Sequence, residues 1–253
     1  MSTVVIKSSR EIGSLREAGR IARLALDGAR ALVKPGISTA EIDVEVERII
    51  RAHGATPEFK GYHGYPASSC ISVNDQVVHG IPGARRLKEG DIVGIDVGAR
   101  IKGYVGDNAA TIPVGKVKPE AQRLIDTTRE CLELAIAQCV PGKRLSDIGR
   151  AVQAHAEARG YSLVRDYAGH GIGTKMHEDP QVPNYVDEAT LKRDLVLKEG
   201  LCIAIEPMLN AGGPEVRVLD DDWTVVTRDG SLSAHWEDAV AVTRDGPLIL
   251  TRA

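Results

Sequence analysis

The sequence predicts an α+β fold of two similar halves, about 8–114 and 118–251, related by a pseudo-twofold. Strands should meet in a central antiparallel sheet, with helices outside. Three repeated phrases carry that prediction. "LKEGDIVGID" at 87–96 returns 110 residues later as "LKEGLCIAIE" at 197–206. "VKPG" at 33–36 returns as "CVPG" at 139–142, and "HG" at 53–54 as "RG" at 159–160, both 106 residues later. One such match is coincidence, since amphipathic helices resemble one another; three in register point to duplication. The period is far too long for a solenoid. A single catalytic unit over 1–253 fits, and this length can bury a sizeable core.

Each element follows from local chemistry. Ser8-Ser9-Arg10-Glu11 is a capping-box pattern that starts the first helix. Leu15, Ala18, Ala22, Ala25, Leu26, Ala29 and Leu32 recur at helical spacing until Pro35-Gly36 stops it. Ser38-Thr39-Ala40-Glu41 caps a second helix that runs to about His53-Gly54. A loop with "GYHGYP" leads into strands from about Ser68 to Val114. Within them Gly98 and Gly103 bracket a reversal. Lys118-Pro119-Glu120 then opens a third helix, with proline at a tolerated first-turn position, which runs to Val140 before Pro141-Gly142. A fourth helix covers about Leu145 to Arg159, and strands return after Tyr161.

Composition narrows the class. The apolar fraction of 43% and charged fraction of 26% are ordinary for a globular chain. A net charge of -3 without a basic run argues against a nucleic-acid or anionic-membrane partner. Cys70, Cys131, Cys139 and Cys202 form no C-x-x-C pair and read as reduced thiols, with Cys131 and Cys139 on one buried helical stripe. The N-terminal "MSTVVIKSSREIGSLREAG" lacks a signal-peptide core, and no stretch is long enough to span a membrane. A cytoplasmic location is expected.

The chemistry lies in acids carried inward by apolar strands. Asp96 and Asp107 sit on the two arms of a hairpin; Glu206 ends the second copy of the repeated phrase, and Glu237 lies in the alternating "HWEDAVAVT" at 235–243. Each half is thus expected to place two acids at matching positions, Asp96 with Glu206 and Asp107 with Glu237. Four clustered carboxylates would repel and take up protons unless positive charge joined them. Two divalent cations would balance them. His170 stands between glycines that should let an ion approach the backbone; His177 and His79 lie in "KMHEDP" and "VVHGIP". His53, His63, His155 and His235 read as ordinary hydrogen-bonded histidines. Acids plus one imidazole, without thiolates, suit Mn, Fe, Co or Zn in a catalytic pair.

With these residues in place, the chain resembles the methionine aminopeptidases of the pita-bread fold, the bacterial type I enzymes most closely. The resemblance rests on "GYHGYP", "CISVNDQVVHGIP", "DIVGIDVG", "GYVGDNAAT", "GHGIG", "MHEDPQVPNY", "AIEPML" and "SAHWEDAVAVT", and spans essentially the whole sequence. It implies Asp96, Asp107, His170, Glu206 and Glu237 as ligands of two metal ions. His79, His177 and Glu206 would be the catalytic groups. Phe59, Tyr62, Tyr65, Cys70, Met176 and Trp223, with His79 and His177, would receive the substrate. Asn74 and Ser233 match positions whose carbonyls hold a monovalent cation in some members. Departures stand at Met176, usually Phe, at Phe59, often a small residue or Cys, and at "SAHWEDA", where His235, Asp238 and Ala239 replace Gln, His and Thr.

The resemblance further implies hydrolytic removal of an N-terminal methionine before a small second residue. The partners expected are that polypeptide and, transiently, the ribosome, with the enzyme a monomer. Two alternatives stay open: an Xaa-Pro aminopeptidase or prolidase-like hydrolase, and a non-catalytic binding protein of the same fold. Retention of every implied ligand and the net charge of -3 speak against the second.

Overall fold

The computed structural model describes residues 4–252; the first three residues of the N-terminal stretch and Ala253 lie outside that range. Four long helices cover the outside: α1 (Ser9–Leu32), α2 (Thr39–Ala52), α3 (Pro119–Ile136) and α4 (Leu145–Glu157); α5 (Glu188–Leu191) is a single turn. The strands of the first half are β1 (Thr56–Pro57), β2 (Cys70–Val73), β3 (Gln76–Val78), β4 (Ile92–Ile101) and β5 (Tyr104–Pro113). The second half supplies β6 (Ser162–Leu163), β7 (Gly169–Gly171), β8 (Glu178–Val182), β9 (Cys202–Ile205), β10 (Met208–Asn210), β11 (Val216–Val218) and β12 (Val225–Thr227). It closes with β13 (Ser233–His235), β14 (Glu237–Thr243) and β15 (Gly246–Ile249). The main sheet runs β1-β4-β5-β14-β9-β7-β8, with β2 on β4 and β15 on β14, and every registered pair is antiparallel.

The starts of the helices follow their sequence signals. Ser8 and Glu11 form a complete capping box at α1, and Ser38 and Glu41 another at α2, each worth about 0.5–2 kcal/mol. At the matching place in the second half only the acid is kept: the Asp147 carboxylate accepts the Arg144 backbone N–H at 2.8 Å. The third helix stops at Ile136 rather than Val140. Gln138 and Cys139 already donate to carbonyls three residues back, so the chain tightens before Pro141, and Cys139 falls beyond the helical stripe. The hairpin turns at Lys102-Gly103, while Gly98 lies inside β4. There a Cβ would run into the Phe59 ring.

The duplication extends to individual hydrogen bonds. Gly36 N–H donates to the Leu87 carbonyl at 2.7 Å, as Gly142 does to Leu197 at 3.0 Å. The isolated bridge Ser38–Arg86 has its counterpart in Arg144–Val196. Each half keeps its own apolar core, α1 and α2 over one end of the sheet, α3 and α4 over the other, and Trp236 packs against both.

Register corrects one expectation. Ile95 pairs with Ala110, and Ile205 with Asp238. Because residues 95 and 205 occupy the same place in the repeated phrase, Ala110 and Asp238 correspond. Counting on along both hairpins, Asp96 matches Glu206, as expected. Glu237, however, matches Ala109, and Asp107 matches His235, whose partner Met208 stands where Gly98 faces Asp107. Ala109 and Glu237 pair directly across β5 and β14, so the pseudo-twofold axis passes between them.

Candidate metal centre

Strand parity brings the acids together. Side chains two apart on a strand, and directly opposite on neighbours, share a face. Asp96 opposes Ala109, and Asp107 opposes Gly98; Ala109 opposes Glu237, and His170 opposes Ala204, two residues before Glu206. Asp96, Asp107, His170, Glu206 and Glu237 therefore all point from one face of the sheet. They line the same small cavity of about 170 Å³, room for one side chain rather than a folded segment. His170 Nε2 lies 3.7 Å from Glu206 Oε1 and 3.9 Å from Asp107 Oδ2. Its glycine neighbours serve the strands instead of opening the backbone to an ion: a Cβ on Gly169 would strike the Ala204 carbonyl, and one on Gly171 the Asp179 carbonyl.

The electrostatics of this cluster are unbalanced by protein alone. Burial pushes Asp96 up to about 7. Burial, followed by the neighbouring acids, raises Asp107, Glu206 and Glu237 well above the carboxylate range. No Lys or Arg lines the cavity among the described residues. Asp96 Oδ1, Asp107 Oδ1 and Glu237 Oε1 are buried without a hydrogen-bond partner. Burial also pushes His170 and His79 down to about 4 and lowers His177, so the imidazoles are neutral at pH 7. Orphaned carboxylate oxygens beside a neutral imidazole are what divalent cations would satisfy. Asp107, His170 and Glu237 offer atoms within 4.8 Å of one another, as do Glu206, His235 and Glu237.

The residues expected to receive the substrate lie on the cavity wall. Phe59, Tyr62, Tyr65, Cys70, His79, Met176, His177 and Trp223 all line it. Tyr65 meets Trp223 edge to face at 5.0 Å, and its hydroxyl lies 3.0 Å from the carbonyls of Ser69 and Gly80. The Tyr62 hydroxyl is 2.6 Å from His177 Nδ1, and the His177 ring stands 4.3 Å from that of His170. Asn74 and Ser233 meet each other, Ser233 N–H donating to the Asn74 carbonyl at 2.9 Å, but neither lines the cavity. Tyr167, Val78, Ala168 and Met208 line it without a sequence signal having marked them.

His235 was also missed. It is no ordinary loop histidine: its side chain is 4% exposed, with Nε2 3.7 Å from Glu206 Oε2 and 3.8 Å from Glu237 Oε2. The available signal was parity, because His235 stands two residues before Glu237. His53 and His63 are exposed, and His155 pairs with Glu130 on the surface at 2.8 Å.

A duplicated, curled antiparallel sheet with helices outside and an acid–imidazole cluster at its axis defines the pita-bread class. A family model for metallopeptidase family M24 matches residues 13–244. A methionine aminopeptidase of Bacillus subtilis is 48% identical, over 98% of this chain and 99% of that protein. The crystal structure of a Thermotoga maritima methionine aminopeptidase superposes with a TM-score of 0.96 at 42% identity, covering 99% of this chain and all of that one. A Pyrococcus furiosus prolidase shares the fold less closely, with TM-score 0.78 and 26% identity, over 99% of this chain and 66% of its own. The chain belongs to metallopeptidase family M24, and within it to the methionine aminopeptidases.

Proposed function

We propose that this chain removes the N-terminal methionine from polypeptides whose second residue is small, as a metal-dependent exopeptidase. The observation that carries the reading is the convergence of four acids and His170 on the floor of a cavity walled by aromatic and sulfur side chains. Asp96, Asp107, His170, Glu206 and Glu237 would hold two divalent ions. When bound, such ions polarise a carbonyl and bring water within reach of deprotonation near neutral pH. Glu206, the acid at the strand end, accepts the proton of the attacking water and passes it to the leaving amine.

The imidazoles divide the remaining work. The Tyr62 phenol, its pKa raised by burial, stays protonated and in this reading donates to His177 Nδ1 across 2.6 Å. A neutral His177 then carries its own proton on Nε2 and can donate it to the developing oxyanion. His79 hydrogen-bonds the scissile nitrogen. Phe59, Tyr62, Tyr65, Cys70, Met176 and Trp223 accept the thioether, each sulfur–aromatic contact contributing about 0.3–1.5 kcal/mol. The polarity of the floor selects a free α-amino group.

Residues 1–253 act as one catalytic unit in this reading, as a monomer. A cytoplasmic location is supported by four buried free thiols, and transient contact with the ribosome by the nascent substrate. No helix among the described residues is long and apolar enough to cross a membrane. A monovalent cation on the carbonyls of Asn74 and Ser233 rests on the resemblance alone. The test is Met-Ala-Ser cleavage after chelation, and again after adding Co or Mn, with Ala-Pro as the competing substrate. Activity should vanish, return with metal and favour Met-Ala-Ser. Full activity in metal-free protein, or preference for Ala-Pro, overturns the proposal.

A further inference from the structure

One buried group beside the acids has no role in this account. His235 Nε2 lacks any hydrogen-bond partner. Its backbone is clamped on both sides by Thr111, whose hydroxyl donates to the His235 carbonyl and accepts its N–H, each at 2.9 Å. The ring is thereby held against Glu206 Oε2 at 3.7 Å and Glu237 Oε2 at 3.8 Å. Those separations are too long for hydrogen bonds. They fit two atoms bound to one ion: ligands about 2.1 Å from a metal, at roughly 100–130°, are about 3.2–3.8 Å apart. His170 stands from Glu206 at the same 3.7 Å, on the other carboxylate oxygen. Glu206 is therefore flanked by two imidazoles, one per oxygen.

We propose that His235 is a sixth metal-binding side chain in this protein, giving its Nε2 to an ion that Glu206 and Glu237 also face. The inference rests on the metal-centre reading above and adds to it a second imidazole ligand, grouped with Glu206 and Glu237 as His170 is with Asp107 and Glu237. Register explains how the position became available, since His235 occupies the pseudo-twofold counterpart of Asp107. Each half then contributes to the centre from equivalent strand positions, an acid from one and an imidazole from the other. A second nitrogen donor favours Co and Zn over Mn, which prefers oxygen.

The test counts coordinated rings. Protein labelled with ¹⁵N-histidine is titrated with zinc while the ring-nitrogen shifts are followed. Two Nε2 resonances should move to the zinc-bound range in the unaltered protein, one in His235→Gln and one in His170→Ala. By calorimetry, His235→Gln should weaken one Co-binding step by about tenfold or more, and Mn binding less. A single shifted nitrogen in the unaltered protein overturns this inference and leaves the metal centre standing, whether or not the variants fold. If no nitrogen shifts, both fall. Co binding by folded His235→Gln within twofold of the unaltered protein also overturns it.

Discussion

Replacing Tyr62 by Phe removes one hydroxyl and leaves the ring that walls the cavity. The hydroxyl bonds His177 Nδ1 at 2.6 Å, and the two residues meet from 115 positions apart in sequence. If its task is to hold His177 in the tautomer that presents Nε2–H, its loss costs one hydrogen bond, about 0.5–1.5 kcal/mol net. That energy corresponds to about a two- to thirteenfold fall in kcat. KM for Met-Ala-Ser should change less, because the apolar contacts of the ring persist. The assay is steady-state hydrolysis by the metal-loaded enzyme in a double-mutant cycle. In a His177→Ala background, Tyr62→Phe should cost less than about twofold, since the partner is already gone. Equal losses in both backgrounds would refute the pairing. A loss in Tyr62→Phe as large as in His177→Ala would show that the hydroxyl acts on the substrate directly.

Metal removal should make stability depend on pH with a definite sign. Burial raises Asp96 from 3.8 to about 7, and raises Asp107, Glu206 and Glu237 well above the carboxylate range, so the metal-free fold keeps protons that the unfolded chain releases and stability falls as pH rises. The buried imidazoles oppose this only below about 6.5, where the unfolded chain charges them. Each pH unit is about 1.4 kcal/mol, or roughly 3–6 °C at this chain length. By calorimetry the stripped protein should melt at least about 5 °C lower at pH 8.5 than at pH 7. A flat profile would contradict the clustered acids. Gly98→Ala should raise KM for methionine substrates while the protein still folds, because the new methyl must displace the Phe59 ring at about 1–3 kcal/mol; an unchanged KM would place Phe59 outside the substrate slot. Met176→Phe should keep hydrolysis and alter KM or side-chain selectivity, the flexible buried thioether giving way to a rigid ring. An activity loss as large as that of His177→Ala would mean that Met176 touches the chemistry.

Much of this molecule was written in short-range pattern. Ser8 with Glu11 and Ser38 with Glu41 mark helix starts because a cap is satisfied within four residues. The Pro-Gly pairs stop helices for equally local reasons. The four acids were legible because carboxylates seldom stand within apolar strands, whereas His170 was marked by its glycine neighbours and by the resemblance. The helix end that moved furthest, at Ile136, lies where the chain tightens ahead of Pro141.

What the sequence determined by itself is thus the duplicated order of elements, the inventory of acids and imidazoles, and the faces they occupy. Each depends on residue type and on a period of two or 3.6 along one segment. Only the tertiary structure decided which groups become neighbours. The pairing of β5 with β14 set Ala109 opposite Glu237 and made His235, rather than Glu237, the counterpart of Asp107. Chain folding brought Tyr62 to His177 and set Trp236 between the two cores. It also told a buried His235 from three surface histidines. Register and long-range contact come from hydrogen-bond ladders closed between distant strands. No local period encodes how far one strand slides against another before the ladder closes.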